Sequence, residues 1–225
     1  MTITIHNDLV QGSDEWLQAR CGLLTASEMC RILTPTLKVA NNDKSRAHVW
    51  ELLSQRITGY VEPTYIGDEM LRGMADEITA RDLYSKQYAP VAEAGFITND
   101  QWGFSIGYSP DGLVGDDGLI EVKSRRQKFQ VETIANGITP DDYMLQLQTG
   151  LLVTGRKWID FISYCGGLPM VTLRVEPIEE YQSAIVEAAT QFEGRVQSEL
   201  SRYKSACNTL ARLIPTEREI IQDIY

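Results

Sequence analysis

The segment that most constrains this chain is SPDGLVGDDGLIEVKSRR, residues 109–126. Asp117-Gly118 separates two apolar runs, and such a pair predicts the turn of a β-hairpin. Because side chains alternate along a strand, Glu121 and Lys123 share one face while their apolar neighbours occupy the other. An acid and a lysine therefore stand together on a strand that otherwise has the character of a core strand.

Asp111 supplies a second carboxylate close to this strand. If the hairpin loop holds two residues, Glu121 lies opposite Val114 and Lys123 lies opposite Gly112. Asp111 then falls just beyond the paired region, where the Pro-Asp-Gly sequence favours a bend toward the Glu121 face. Two carboxylates and one ammonium group are expected to converge there.

This convergence suits a hard metal ion. Two neighbouring carboxylates repel each other unless a cation lies between them, and oxygen ligands from Asp, Glu and a main-chain carbonyl suit Mg²⁺ or Mn²⁺. A metal-activated water beside a lysine is the equipment of phosphodiester hydrolysis. A calcium EF-hand loop is excluded because Leu113 and Gly115 stand where oxygen ligands are needed. An ordinary hairpin with a solvated Glu/Lys face explains the same residues equally well.

Composition excludes several other classes of protein. The 225 residues suit one α/β domain, no apolar run is long enough to span a bilayer, and no secretory signal is apparent, so a cytoplasmic protein is expected. His6 and His48 have no neighbours at metal-binding spacing, which argues against a zinc site and a His-based nucleophile triad. The four cysteines are expected to be buried, reduced thiols. The net charge of −10 argues against a non-specific DNA binder, although a local basic groove remains compatible with a DNA enzyme.

The order of predicted elements indicates an α/β fold with a mixed central β-sheet flanked by helices. Thr25 and Glu28 form a capping box at the start of the second helix. Helices are predicted over residues 16–24, 25–34, 45–59, 67–88, 139–155 and 178–203, and strands over 93–100, 101–108, 119–125, 158–165 and 170–176.

The helix predicted over residues 67–88 carries an acid in an unexpected place. Met70, Met74 and Ile78 form its apolar stripe, and Glu77 lies only about 20° from Met70 around the helix axis. An acid on such a stripe needs a partner. Glu77 is therefore either a further group of the metal site or a glutamate at the edge of the stripe that reaches solvent.

Three motifs, in this order, resemble the phage lambda-type exonucleases, the family of viral alkaline exonucleases and YqaJ-type recombinases within the PD-(D/E)xK nuclease superfamily. QGSDEWLQARCGLLTASE resembles its first motif, SPDGL with the EVK strand its second, and YMLQLQTGLLVTG its third. The likeness covers residues 10–176. It implies a restriction-endonuclease-like core within a single nuclease domain of residues 1–225. The helix over residues 178–203 and the tail match no motif.

The resemblance implies roles for the residues that match these motifs. The implied catalytic set is Asp111, Glu121, Lys123, Glu77 and Gln146. The first two, with the main-chain carbonyl of Val122, would bind Mg²⁺, for which Mn²⁺ could substitute, and two ions per site are implied. Lys123 would assist the attacking water.

Two pairs of residues are candidates for DNA contacts. Arg20 and Ser27 flank a helix N-terminus, where free N–H groups and a guanidinium could clamp a phosphate. Spacing alone favours an ordinary helix cap and a surface arginine, whereas the resemblance implies that this pair holds the DNA 5′-phosphate. Arg125 and Arg126 follow the EVK strand and either track the phosphate backbone or form a solvated basic run.

The resemblance also implies a function. It is Mg²⁺-dependent 5′-to-3′ digestion of one strand of double-stranded DNA from its ends, with release of mononucleotides and a 3′ single-stranded overhang. A homotrimeric ring, a single-strand annealing protein as partner, and a phage or prophage gene in a bacterial host are implied as well. The alternatives are a PD-(D/E)xK endonuclease of restriction or repair type, and a catalytically idle DNA- or protein-binding module on the same fold.

Overall fold

The structure is a computed structural model that describes residues 2–63 and 67–218. Within these ranges the strands are β1 (Ile3–His6), β2 (Leu24–Thr25), β3 (Phe96–Asn99), β4 (Ile106–Tyr108), β5 (Gly112–Val114), β6 (Gly118–Ser124), β7 (Trp158–Tyr164) and β8 (Val171–Val175). The helices are α1 (Asp14–Arg20), α2 (Met29–Ile32), α3 (Asp43–Thr58), α4 (Asp68–Gln87), α5 (Gln127–Asn136), α6 (Asp141–Thr154) and α7 (Glu179–Thr209), and a 3₁₀ turn (Ala26–Glu28) precedes α2.

The expected α/β class with mixed strand directions is confirmed, but the strands form two four-stranded sheets. The first has the order β1-β3-β4-β2, with only β2 and β4 parallel. The second has the order β5-β6-β7-β8, with only β6 and β7 parallel. Helix α6 packs against β3 and β4 of the first sheet and against β7 of the second, so one helix joins the two sheets.

The β5–β6 hairpin has a different register from the predicted one. Val114 pairs with Gly118, so the loop holds residues 115–117 and the prediction of a two-residue Asp117-Gly118 turn is wrong. Gly115 adopts the left-handed φ of +52° in this longer loop. Gly118 is a strand residue, and only glycine fits there because the Trp158 ring covers it and a Cβ would approach that ring to 2.2 Å. Continuing the observed register by one residue places position 111 opposite position 121.

Helix α4 does not bury its predicted apolar stripe. Met70, Met74 and Ile78 are 46%, 46% and 56% exposed, and the buried residues of the helix are Ala80 and Tyr84. These two pack with Ile120, Val122 and Ile162 of the second sheet. The prediction was wrong because period alone cannot tell which face of a helix meets the sheet.

Two smaller expectations also fail. The Thr25 hydroxyl donates to the Glu28 carboxylate at 2.7 Å and makes no cap bond to a backbone N–H, so the predicted capping box is absent. The chain forms a 3₁₀ turn there before α2 begins. Cys30 and Cys207 are exposed, whereas Cys165 is buried, and all four cysteines are free. No helix in the described ranges is long and apolar enough to cross a membrane.

Candidate active site

Asp111 lies at the junction between the two sheets. It precedes β5 directly and is only 8% exposed, and its Oδ2 accepts the Val122 backbone N–H at 2.6 Å. Arg81 of α4 donates to the Asp111 backbone carbonyl at 3.2 Å. Gly112 allows this close approach, since a Cβ there would meet Val91 at 2.1 Å and Ile120 at 3.0 Å. The predicted bend therefore brings the Asp111 carboxylate onto β6.

Glu121 is 2% exposed, and three side chains bind its carboxylate. The Tyr108 hydroxyl donates to Oε2 at 2.7 Å, and Lys123 Nζ donates to Oε1 at 2.8 Å. Gln146 Nε2 of α6 donates to Oε1 at 2.5 Å. The predicted side-chain alternation on β6 is thus confirmed, since Ile120 packs on the opposite face with α4.

Gln146 and Gln148 of α6 are separated by one residue but have different surroundings. Gln146 faces Glu121, whereas Gln148 is fully buried on the other side of the helix. The Gln148 amide donates to the Glu176 carbonyl and accepts the Ile178 N–H, each at 2.8 Å. Gln148 thus holds the chain between β8 and α7, and only Gln146 contacts the site.

Glu77 reaches the same place from α4. With Asp111, Val122 and Lys123 it lines a cavity of about 390 Å³ between α4 and the end of β6. Met70 lines this cavity as well, so the two residues share a helix face as their spacing predicts. That face borders the cavity instead of the core, which explains why an acid is accommodated there.

Negative charge is in excess at this site. Burial raises the pKa of Asp111 well above its ordinary value, and the charges of Glu121 and Glu77 raise it further. Burial also raises the pKa of Glu77, against the opposing effect of Arg81. Burial lowers the pKa of Lys123, but Glu121 and Asp111 outweigh this effect and the net shift is upward, so the ammonium stays charged. Hard oxygen donors with a shortage of positive charge are what Mg²⁺ or Mn²⁺ would satisfy.

Arg20 and Ser27 are brought together around Thr25, for which the sequence predicted only a helix cap. Arg20 Nη2 and Ser27 Oγ each lie 3.3 Å from Thr25 Oγ1. Arg20 stacks over the Trp16 ring, 4.3 Å from its centroid, and burial lowers the pKa of its guanidinium. Arg20 Nη1 also lies 3.4 Å from Ser109 Oγ, and Ser109 is only two residues before Asp111.

Arg125 and Arg126 diverge. The Arg126 guanidinium pairs with Glu69 on the exposed surface. Arg125 donates to the Tyr143 hydroxyl and lies 5.1 Å from the centroids of the Tyr143 and Phe129 rings. A DNA-backbone role therefore stays a prediction for both residues, and each already has a partner in the protein.

A second cluster of possible metal ligands lies outside this site. Glu28, His48 and Glu51 come within 4.8 Å of one another, although the sequence showed no metal-binding spacing at His48. Arg31 Nη1 lies 2.6 Å from Glu51 Oε2 and 3.3 Å from His48 Nδ1. The guanidinium supplies the positive charge in this cluster, which is therefore an ion-pair network.

Sequence reasoning missed Tyr108, Ser109 and Arg81 as residues of the site. Tyr108 could have been found, because it ends a predicted strand just before the Pro-Asp turn. Arg81 lies one helical turn after Glu77, a spacing that predicts an ion pair, and their charged atoms are 3.8 Å apart. Ser109 gave no signal without the tertiary structure.

The model of the YqaJ-like viral recombinase domain family matches residues 15–157 of this chain, and this match decides the family. The chain belongs to this family. The resemblance stated from the three motifs is therefore confirmed.

Two solved structures extend this relationship. The alkaline exonuclease LHK-Exo of Laribacter hongkongensis, in its complex with dAMP, is 33% identical with a TM-score of 0.79. The match covers 88% of this chain and 100% of that one. A phage-related exonuclease of Haemophilus somnus is 14% identical, with a TM-score of 0.52, and the match covers 79% of this chain and 96% of that one. At this identity, the likeness shows that the two chains share a fold and nothing about their activity. A comparison with curated proteins finds no match. The family match and the L. hongkongensis relative support a nuclease enzyme.

Proposed function

We propose that the chain is a Mg²⁺-dependent exonuclease that acts on the ends of double-stranded DNA, with its nuclease domain spanning residues 1–225. The observation that carries this proposal is the buried Asp111–Glu121 pair with the Lys123 ammonium bonded to it. Asp111, Glu121 and the Val122 carbonyl would hold the metal. Mn²⁺ could substitute for Mg²⁺, and two ions per site are proposed from the family resemblance. When bound, the metal would supply Lewis-acid activation of the phosphodiester and of water.

The side chains of this site have distinct proposed roles. Lys123 orients the attacking water or stabilises charge on the phosphate from its position beside Glu121. Gln146 holds the Glu121 carboxylate in place, and Glu77 adds a third acid from α4 that can hold a metal ligand or a water. The positions of all these groups are set by helices and strands, which favours accurate placement.

The proposed phosphate clamp sets the direction in which the enzyme would digest the DNA strand. Arg20 and Ser27 around Thr25 form a donor-rich group close to Ser109, so a terminal 5′-phosphate held there would place the next phosphodiester toward Asp111. This arrangement supports 5′-to-3′ digestion with release of 5′-mononucleotides and leaves a 3′ single strand. The L. hongkongensis relative was solved in complex with dAMP, a nucleotide of the kind such digestion releases.

We further propose a ring-shaped homotrimer, a single-strand annealing protein as partner, and a role in phage or prophage recombination in the bacterial cytoplasm. Membership of a viral recombinase family supports the biological role. A ring would reconcile DNA binding with the net charge of −10, since only the central channel must attract DNA.

The test is digestion of linear duplex DNA with Mg²⁺, using 5′-phosphorylated ends, 5′-hydroxyl ends and a closed circle. We expect mononucleotides from the phosphorylated 5′ end, an intact circle, and no activity in a chelator. Asp111→Ala and Lys123→Ala should abolish digestion, whereas Lys157→Ala, which removes a lysine paired with Asp117 on the exposed hairpin, should not.

The other outcomes of this digestion have distinct meanings. Cleavage of the closed circle would identify an endonuclease. Absence of cleavage with either metal would favour a binding module on the same fold. Equal rates on phosphorylated and hydroxyl ends would contradict the phosphate clamp at Arg20 while leaving the nuclease assignment intact.

A further inference from the structure

The catalytic cavity has a wall that the proposed chemistry does not use. Besides the metal-site residues, it is lined by the first turns of α4 and by Ser124 at the end of β6. Arg72 brings a guanidinium to this wall, and its side chain is 46% exposed. Arg20 and Ser109 are not among the lining residues of this cavity, so Arg72 belongs to a different part of the site from the proposed clamp.

The other cations near the cavity each have a closer carboxylate partner than Arg72 has. Lys123 donates to Glu121 at 2.8 Å, Arg126 pairs with Glu69, and Arg81 lies 3.1 Å from Glu93. These groups balance the acids of the site, so they offer little positive charge to a further anion.

Arg72 differs from them. Its Nε donates to Ser124 Oγ at 3.3 Å, and its nearest carboxylate partner, Asp76, is 3.9 Å away. The Ser124 hydroxyl in turn donates to that aspartate at 2.5 Å. Within the described ranges, the Nη1 and Nη2 groups of Arg72 make no hydrogen bond. A guanidinium with unused paired donors at the edge of a phosphodiester site is suited to bind a phosphate.

We propose that Arg72 binds the phosphate that follows the scissile one, on the 3′ side of the cut. This inference rests on the proposed function. The digested strand would run from the Arg20 clamp, past Asp111 and Glu121, to Arg72 on α4. A contact on each side of the cut fixes the scissile phosphate more firmly than the clamp alone, because both neighbours of the reacting group are then held. Ser124 orients the guanidinium for this contact.

The test combines Arg72→Gln with a substrate in which the phosphate after the scissile one is replaced by a neutral methylphosphonate. On unmodified DNA, Arg72→Gln should lower kcat/KM by about 10-fold or more, as expected for loss of a charge-assisted hydrogen bond. On the methylphosphonate substrate, the wild type should fall to a similar rate and Arg72→Gln should cause no further loss. A substrate modified one phosphate further along should retain the full effect of the mutation.

Two further variants sharpen the result. Arg202→Gln removes an exposed arginine on α7 whose Nε lies 2.8 Å from Glu199, and it should behave as the wild type. Arg72→Lys keeps the charge and should recover part of the lost rate. The proposal is overturned if Arg72→Gln and Arg202→Gln behave alike, or if Arg72→Gln is equally harmful with the neutral linkage.

A binding measurement separates this inference from the proposed function. In an Asp111→Asn background, Arg72→Gln should reduce the slope of log binding constant against log salt concentration by about one, since one phosphate contact is lost. An unchanged slope would overturn the proposal. A failure of the wild type to digest any linear duplex would instead refute the nuclease function, and the binding slope would still report on Arg72.

Discussion

Asp111→Asn should stabilise the protein in a chelator and remove its stabilisation by Mg²⁺. Asp111 and Glu121 lie opposite each other when the observed hairpin register is continued, and opposed residues have Cβ atoms about 5 Å apart. At an effective dielectric constant of about 20, two unit charges at that separation repel by about 3 kcal/mol. Asparagine removes this repulsion and can still accept the Val122 N–H, so the native hydrogen bond is retained.

The expected shifts can be measured as melting temperatures. Because Lys123 offsets part of the repulsion, the gain in a chelator should lie below about 3 kcal/mol, and 1 kcal/mol corresponds to about 2–4 °C for a chain of this size. Mg²⁺ at about 1,000 times its dissociation constant should stabilise the wild type by about 4.1 kcal/mol, which exceeds that gain. The order of stability of the two proteins should therefore reverse when Mg²⁺ is added.

The pH dependence gives an independent check. The pKa of Asp111 is raised in the folded protein, so in a chelator its contribution is most favourable below the ordinary value of 3.8. That contribution is lost as the pH rises through the raised folded pKa. The wild type should therefore lose stability toward alkaline pH, and Asp111→Asn should lose less.

Asp116→Asn is the matched control, because Asp116 lies exposed in the loop of the same hairpin. It should change neither the melting temperature in a chelator nor the response to Mg²⁺. The reasoning is refuted if Asp111→Asn is no more stable than the wild type in a chelator, or if Mg²⁺ stabilises both proteins equally.

Three further predictions concern the groups around Glu121. Gln146→Ala should reduce the digestion rate at least about 10-fold and leave the free energy of unfolding nearly unchanged. Gln148→Ala should lower the free energy of unfolding by about 1–3 kcal/mol and spare the activity of folded molecules. Denaturant titration and digestion assays on the same samples measure both effects. Tyr108→Phe should weaken Mg²⁺ binding, seen as a higher Mg²⁺ concentration for half-maximal rate, because the hydroxyl orients the carboxylate. An unchanged Mg²⁺ curve would contradict this role. Gly150→Ala should destabilise the protein by about 1–3 kcal/mol in thermal melts, since its Cβ would approach the Tyr108 ring to 2.8 Å, and melts like those of the wild type would show that the ring can move aside.

Most helices and strands could be predicted because their signals are local. The helix from Asp43 to Thr58 ends where the sequence indicated, at Gly59, which takes the left-handed φ of +63°. Helix α5 and strands β1 and β2 were missed. The two strands hold only four and two residues, and they are held by pairing with β3 and β4, which lie about 80 or more residues further along the chain.

The candidate site was predictable in its chemistry but only partly in its geometry. Asp111, Glu121 and Lys123 converge as expected, but through a three-residue loop that the turn signal did not indicate. Gly118 pairs with Val114 as a strand residue, and the Trp158 ring of the neighbouring strand leaves no room there for a side chain, so this glycine was mistaken for a turn residue.

By itself, the sequence determined which chemical groups this protein carries and in what order they occur. Its three motifs also indicated the family to which the chain belongs. Strand alternation, helix ends and the types of side chain are local properties, so the sequence sufficed for them. Only the tertiary structure decided how deeply the carboxylates are buried, that Tyr108 and Gln146 converge on Glu121, and that the apolar stripe of α4 faces outward. These properties depend on contacts between residues far apart in the chain, and periodicity carries no information about such partners.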